Sequence, residues 1–159
     1  MVIQIDSREK ARAITKIIST FDSQHIDHFI SKLPVGDYMS LDNPRLVIDR
    51  KQNLLEICGN VCQELPRFRA ELQRAKQYGI KIIVLCEHGR DIKTMADVIK
   101  WENPRLKTSP MAMSGERLYK VMSALKSTYG VDWKFCDKSH TGQRIISILD
   151  GQEAMEDSG

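Results

Sequence analysis

The residues best suited to chemistry crowd into one stretch, GDYMSLDNPRLVIDRK, from Gly36 to Lys51. A β-hairpin turning at Asp42-Asn43-Pro44 would be centred on Asn43, with Asp37 and Asp49 each six residues away. Symmetric pairing then sets the two acids opposite one another, Cβ atoms about 4.5–5.5 Å apart. Two carboxylates that close repel unless a cation lies between them. Residues two apart on a strand share a face, so Asp49 and Lys51 point one way and Arg50 the other. One sheet face would thus present two acids and a lysine. Such a pair can hold Mg²⁺ or Mn²⁺ while leaving room for waters and substrate phosphates. The ion would acidify a bound water and stabilise charge on a phosphoryl transition state. Lys51 would position that water or steady the developing charge. Phosphodiester hydrolysis is the chemistry this pattern suits.

The elements that must carry these groups are those of an α/β chain. Val2 to Ile5 predicts a strand that delivers Asp6 at its end. Ala11, Ile14, Ile17, Ile18 and Phe21 recur at helical spacing. Strands follow at Ile26 to Leu33, Tyr38 to Leu41 and Arg45 to Arg50. Asn53 reads as an N-cap with Glu56 three residues on. The helix behind it carries a buried stripe of Leu54, Cys58, Val61, Cys62 and Leu65. Pro66 opens a further helix whose Phe68, Leu72 and Ala75 face inward, and Gly79 ends it. On that helix Arg67, Glu71 and Arg74 share another face. Ile82 to Cys86 is a continuous apolar run of the kind buried on both faces. Helices at Thr94 to Lys100, Ser114 to Tyr129 and Thr141 to Leu149, with a strand at Trp133 to Cys136, complete the pattern.

At 159 residues, 42% hydrophobic and 28% charged, the chain is expected to form one domain over residues 1–150. The acidic, aperiodic residues 151–159 read as a flexible tail. No apolar run approaches the roughly 18 residues of a membrane span, and MVIQIDSREK lacks the pattern of a signal peptide. A cytoplasmic protein is the expectation. The four cysteines form no CxxC pair, which argues against a zinc site or a disulfide framework. Net charge is +3 with a pI near 8.7, compatible with nucleic acid. Arg67, Arg69, Arg74 and Lys76 lie within ten residues and are candidate phosphate contacts, although a charge run is usually a solvated face.

Three short runs carry a family resemblance: Asp6-Ser7-Arg8-Glu9, Gly36-Asp37-Tyr38 and Asp49-Arg50-Lys51. Their order and spacing resemble the signature of XPF-type nucleases of the PD-(D/E)xK superfamily, over roughly the first 90 residues. Arg67 to Leu72 is similar to the helix after the active site in small phage and bacterial members. The resemblance implies a restriction-endonuclease-like fold, a mixed central sheet flanked by helices. It also implies a metal-dependent endonuclease for branched DNA, with Mg²⁺ or Mn²⁺ as cofactor. Asp37 and Asp49 would bind the metal, and Lys51 would position the water. Asp6 and Glu9 would form an outer acid pair, and Arg8 would contact phosphate.

Small relatives of this kind are read as Holliday junction resolvases. Nothing here resembles the helix-hairpin-helix modules of larger relatives, so junction selectivity would rest on this domain and a homodimer. There are two departures from the pattern. Asp49 stands where the triplet usually begins with Glu, and Leu55 stands where an acid is common, with Glu56 one step on.

Other roles fit several of these residues. Asp6 is equally suited to capping the first helix, and Glu9 to the helix dipole. Arg50, turned from the site, suits a structural pairing with a buried acid. Trp101 suits anchoring of its loop better than stacking on a base. No histidine is assigned to catalysis. The rival functions are a scaffold that binds branched DNA without cutting, and a monomeric flap or nicking endonuclease.

Overall fold

A computed structural model describes residues 1–153; the last part of the predicted tail, residues 154–159, lies outside the described residues. Six strands form one mixed sheet in the order β2-β1-β3-β4-β5-β6. They are β1 (Val2–Ile5), β2 (Asp27–Ile30), β3 (Tyr38–Ser40), β4 (Asn43–Lys51), β5 (Lys81–Cys86) and β6 (Asp132–Phe135). β3 runs antiparallel to both its neighbours, whereas β4, β5 and β6 are parallel. The C-terminal ends of β1, β4, β5 and β6 therefore lie along one edge. That is where open α/β sheets present their ligand-binding loops.

One face of the sheet carries α2 (Leu54–Cys62), α3 (Leu65–Gln77), α4 (Met95–Ile99) and α5 (Gly115–Tyr129). The other carries α1 (Thr15–Ser23) and α6 (Thr141–Leu149). β4 feeds both layers in strict alternation: Val47 enters the first core and Ile48 the second. The first core gathers Leu54, Ile57, Val61, Phe68 and Leu72 with Val84 and Trp133. Each such side chain gains roughly 1.5–3 kcal/mol from leaving water. The second packs Ile14, Ile17 and Phe21 of the α1 region against Ile145 and Ile148. Gly142 makes this packing close: a Cβ there would meet Thr20 at 2.7 Å.

Most expected elements form, with three differences. The hairpin turns at Leu41–Asp42, not at Asn43, because Ser40 pairs with Asn43. A register shift between Met39 and Ser40 then absorbs Pro44, Arg45 and Leu46 on the longer strand, and Pro44 has no N–H to give to a ladder. The second expected strand is shorter, Asp27–Ile30, at the edge of the sheet. Cys62 is exposed, and Ile57 takes its expected place in the core. At the C-terminus, Glu153 lies 2.6 Å from Arg144 Nε and 3.3 Å from Lys134 Nζ.

Candidate active site

The shift in the hairpin restores the symmetry that the displaced turn would have lost. Tyr38 pairs with Ile48 at the start of β3, and Asp37, the residue just before it, has its carboxyl beside that of Asp49. The Asp37 N–H donates to the Ile48 carbonyl at 2.8 Å, and the Arg50 N–H donates to Asp37 Oδ2 at 2.8 Å. Lys51 joins them on the same face, its Nζ 3.5 Å from Asp49 Oδ2 and 5.9 Å from the centre of the Phe68 ring. The sheet thus brings together the two acids and the lysine.

Gly36 sets the approach to this pair. Its φ is +75°, and an added Cβ would lie 2.9 Å from both Cβ and Cγ2 of Val47. Only glycine fits both the backbone and the space. Its N–H donates to Glu71 Oε1 at 3.3 Å, which draws the α3 carboxylate over the site. Burial, then the charge of Asp49, raises the pKa of Glu71. Glu71 is the acid that periodicity missed. It lies on the same helical face as Arg67 and Arg74, and only the docking of α3 over β4 turns it inward.

Asp37 is the most perturbed acid here. Burial, followed by the charge of Asp49, pushes its pKa up to about 9. Burial alone would depress Lys51, yet Asp49, Glu56, Asp37 and Glu71 together hold it above its ordinary value. Lys51 is therefore an ammonium at neutral pH. It touches Asp49 and leaves the Asp37–Asp49 repulsion incompletely offset.

The outer acids have other partners. Asp6 is fully buried: Oδ1 accepts the Leu33 N–H at 2.7 Å, and Oδ2 accepts the Arg8 N–H and Nε at 3.1 and 2.6 Å. Burial alone would raise the Asp6 pKa, but these bonds hold it lowered. Glu9 lies on the opposite face of the sheet, where Oε2 accepts from Arg50 Nε and Tyr38 Oη, both at 2.7 Å, and Oε1 accepts from Arg50 Nη2. Asp6 lies beside Asp37, its N–H donating to the Asp37 carbonyl at 2.8 Å, but the carboxylates of Asp6 and Glu9 are taken up by these other partners rather than turned to the Asp37–Asp49 pair. Arg50 turns away from the site and pairs with buried acids, donating from Nη1 to Glu87 Oε1 at 2.6 Å as well. Glu87 also accepts from Thr141 Oγ1 at 2.5 Å. No spacing or pattern in the sequence marks Glu87, which sits between the more conspicuous Cys86 and His88. His88 Nδ1 accepts the Leu54 N–H, and Trp101 stands edge-on to its ring, so both serve packing.

Of the candidate phosphate contacts, Arg8 sits nearest the acids, half-exposed, with Nη2 on the Leu33 carbonyl. Arg67, Arg69 and Arg74 are exposed on α3; Arg74 reaches the Pro34 carbonyl, beside Gly36. Lys76 donates to the Thr128 carbonyl at the far end of that helix. The family position occupied by Leu55 is exposed and apolar, and Glu56 folds back to accept the Gln52 N–H at 2.7 Å. Neither adds a third acid to the pair.

Among the described residues no group of three or more His, Cys, Asp or Glu side chains could hold a metal ion. Two opposed carboxylates nonetheless suit Mg²⁺, which takes one or two protein carboxylates and completes its shell with waters and substrate oxygens. The raised Asp37, facing a second acid, is the group whose charge such an ion would offset.

The ERCC4 domain model matches residues 5–149, well beyond the first 90 residues where the motifs lie. No curated protein sequence matches this chain. In structure the chain is similar to XPF from Aeropyrum pernix, with a TM-score of 0.67 and 19% identity, over 96% of this chain and 65% of that one. It thus spans just under two thirds of that relative. A second XPF structure from the same organism, in complex with DNA, gives a TM-score of 0.63 and 19% identity over 99% and 68% of the two chains. The fold is the restriction-endonuclease-like one expected. Matched along almost its whole length, the chain belongs to the ERCC4 domain family.

Proposed function

We propose that this domain is a metal-dependent endonuclease that hydrolyses phosphodiester bonds in branched DNA, acting on Holliday junctions as a homodimer. The observation that carries the reading is the meeting of Asp37, Asp49 and Lys51 on one face at the ligand-binding edge of the sheet. The ERCC4 family match supports it, as does the likeness to an XPF structure described as a complex with DNA.

Asp37 and Asp49 would hold the Mg²⁺ or Mn²⁺. Bound there, the ion would acidify a water and offset charge on the scissile phosphate. The residues around it have their own tasks. The Arg50 N–H fixes the Asp37 carboxylate, leaving its other oxygen for the metal. Lys51, held as an ammonium between Asp49 and the Phe68 ring, orients the attacking water and stabilises the charge gained by the phosphoryl oxygens. Glu71, with its raised pKa, accepts a proton from that water more readily than an ordinary carboxylate. Arg8 and Arg74 flank the loop ahead of Asp37 and suit the backbone phosphates on either side.

A second reading has one specific observation in its favour. Asp49 has a shorter reach than Glu, and neither Leu55 nor Glu56 supplies an acid to the pair. A scaffold that binds branches without cutting would look the same. The test is incubation of labelled four-way junction, flap, linear and single-stranded DNA with Mg²⁺, Mn²⁺ or EDTA. Paired symmetric cuts on the junction, lost with EDTA and in Asp49→Ala, are the expected outcome. Nicks or flap cuts by a monomer would retain the nuclease and reject the resolvase. Binding without cleavage in either metal would establish the scaffold.

A further inference from the structure

Across β4 from the acid pair lies a second concave site, on the α1 and α6 face. It is a cleft of about 470 Å³ at the same strand-end edge, lined by Arg12, Lys16, Arg50, Gln52, Glu87 and Lys138 among others. Its floor is the Arg50 cluster. Every charged oxygen there already has a donor: Glu87 is bound by Arg50 and Thr141, and Glu9 by Arg50 and Tyr38. The rim is different. Arg12, Lys16 and Lys138 are exposed, and none forms an ion pair among the described residues. Three rim cations set against one guanidinium and two carboxylates leave the cleft with two net positive charges.

A charge run on a convex helix face needs no ligand, but these three cations come from two segments far apart in the chain, the start of α1 and the turn before α6. Arg12 stands on the turn before α1, Lys16 in its first turn, and Lys138 on the turn before α6. The fold brings like charges to one concavity and places no acid on its rim to offset them. Such repulsion is tolerated where an anion fills the space. The first turn of α1 also opens on the cleft, with neither a side-chain cap nor an acid to occupy its N–H groups. Arg50 and Lys51 are successive residues, so the cleft and the acid pair lie back to back at the end of one strand.

We infer that the cleft between Arg12, Lys16 and Lys138 holds a backbone phosphate of the bound DNA, on the far side of the sheet edge from the Asp37–Asp49 pair. This rests on the nuclease-domain reading above and extends it. The site that cuts engages one segment of strand, and the cleft fixes a second segment as it leaves. A linear duplex lying along one face reaches one of the two; a branched or kinked substrate reaches both.

The test is equilibrium binding, in EDTA so that cleavage is silent, of a labelled four-way junction and a linear duplex. Fluorescence anisotropy is recorded over a series of salt concentrations. The triple variant Arg12→Gln/Lys16→Gln/Lys138→Gln is compared with wild type and with a control, Lys100→Gln/Lys120→Gln, that removes exposed charge elsewhere. All are exposed side chains, so folding is checked by circular dichroism and should be unchanged. The expected result for the triple variant is junction affinity at least about 10-fold weaker, with a salt slope shallower by about one for each phosphate the cleft no longer neutralises. The linear duplex and the control should change little. An unchanged slope and affinity for the junction would overturn the inference while leaving the nuclease reading intact. Equal weakening by the control pair would overturn it too, as a loss of net charge alone. Wild-type protein that binds no DNA of either form would remove the nuclease reading and the inference with it.

Discussion

The main-chain N–H of Arg50 donates to the carboxylate of Asp37 at 2.8 Å, while the Arg50 guanidinium lies on the other face of the sheet between Glu9 and Glu87. One residue thus ties the most perturbed acid to a buried ion network. The guanidinium is 7% exposed, and its partners Glu9 and Glu87 are 9% and 5% exposed. Arg50→Met should destabilise the fold by about 3–5 kcal/mol, because it strands two buried carboxylates. Chemical denaturation reads this directly; a loss below about 1 kcal/mol would show that the network is not a support.

Asp37 makes the fold's stability depend on pH. Its folded pKa of about 9 lies above the usual carboxylate value, so the native state binds this proton more tightly than the unfolded chain does. The contribution is most favourable below about pH 4 and is lost as pH rises toward about 9, by at most about 1.4 kcal/mol per unit. Asp37→Asn keeps an oxygen for the Arg50 N–H and removes the charge. In EDTA its stability advantage over wild type should widen from about pH 5 to about pH 8. Parallel curves of stability against pH would rule this out.

Divalent ions should relieve the same repulsion. A ligand that binds only the native state at 100 times its Kd adds about 2.7 kcal/mol. Saturating Mg²⁺ or Mn²⁺ should therefore raise the Tm of wild type and leave that of Asp37→Asn/Asp49→Asn nearly unchanged. Equal shifts in both proteins would place the ion elsewhere.

Glu71→Gln keeps the acceptor for the Gly36 N–H but removes the charge beside Asp49. Cleavage should fall about 10- to 100-fold, as it does when groups that support a metal site are lost. DNA affinity in EDTA should hold or improve, since one negative charge is gone. Unchanged turnover in single-turnover assays would return Glu71 to a purely structural role.

Gly36→Ala tests the geometry with every charge kept. The added Cβ meets Val47 at 2.9 Å on a backbone at φ +75°. The strain is of order 1–3 kcal/mol and falls on the residue that leads into Asp37. The expected outcome is lower stability and, at temperatures where the variant remains folded, slower cleavage. Wild-type rates would mean that Asp37 finds its position without the turn.

The facing of Asp37 and Asp49 was legible because strand pairing is set by local arithmetic. The turn lies one or two residues ahead of where symmetry puts it, yet the extra residues at Pro44 to Leu46 bring Tyr38 opposite Ile48 and so set Asp37 beside Asp49. Helix interiors such as Phe68, Leu72 and Ala75 were legible for the same reason. What could not be read was anything that depends on which outward face another element covers. Glu71 became a site residue through the docking of α3, and Glu87 a buried anchor through Arg50 and Thr141. Cys62 fitted the stripe, yet it comes at the last turn of α2, where the chain leaves the core for Pro66.

β4 lies between two partners for much of its length, and Arg50 and Lys51 pair with Leu85 and Cys86. Amide hydrogens on such a strand exchange only when much of the molecule opens. Asp49 and Lys51 are therefore mounted on a rigid anvil that cannot reshape itself around a substrate. Under the nuclease reading, the duplex must do the bending. Selection among DNA forms would then follow the elastic cost of bringing a phosphate to that fixed point, lowest where stacking is already interrupted.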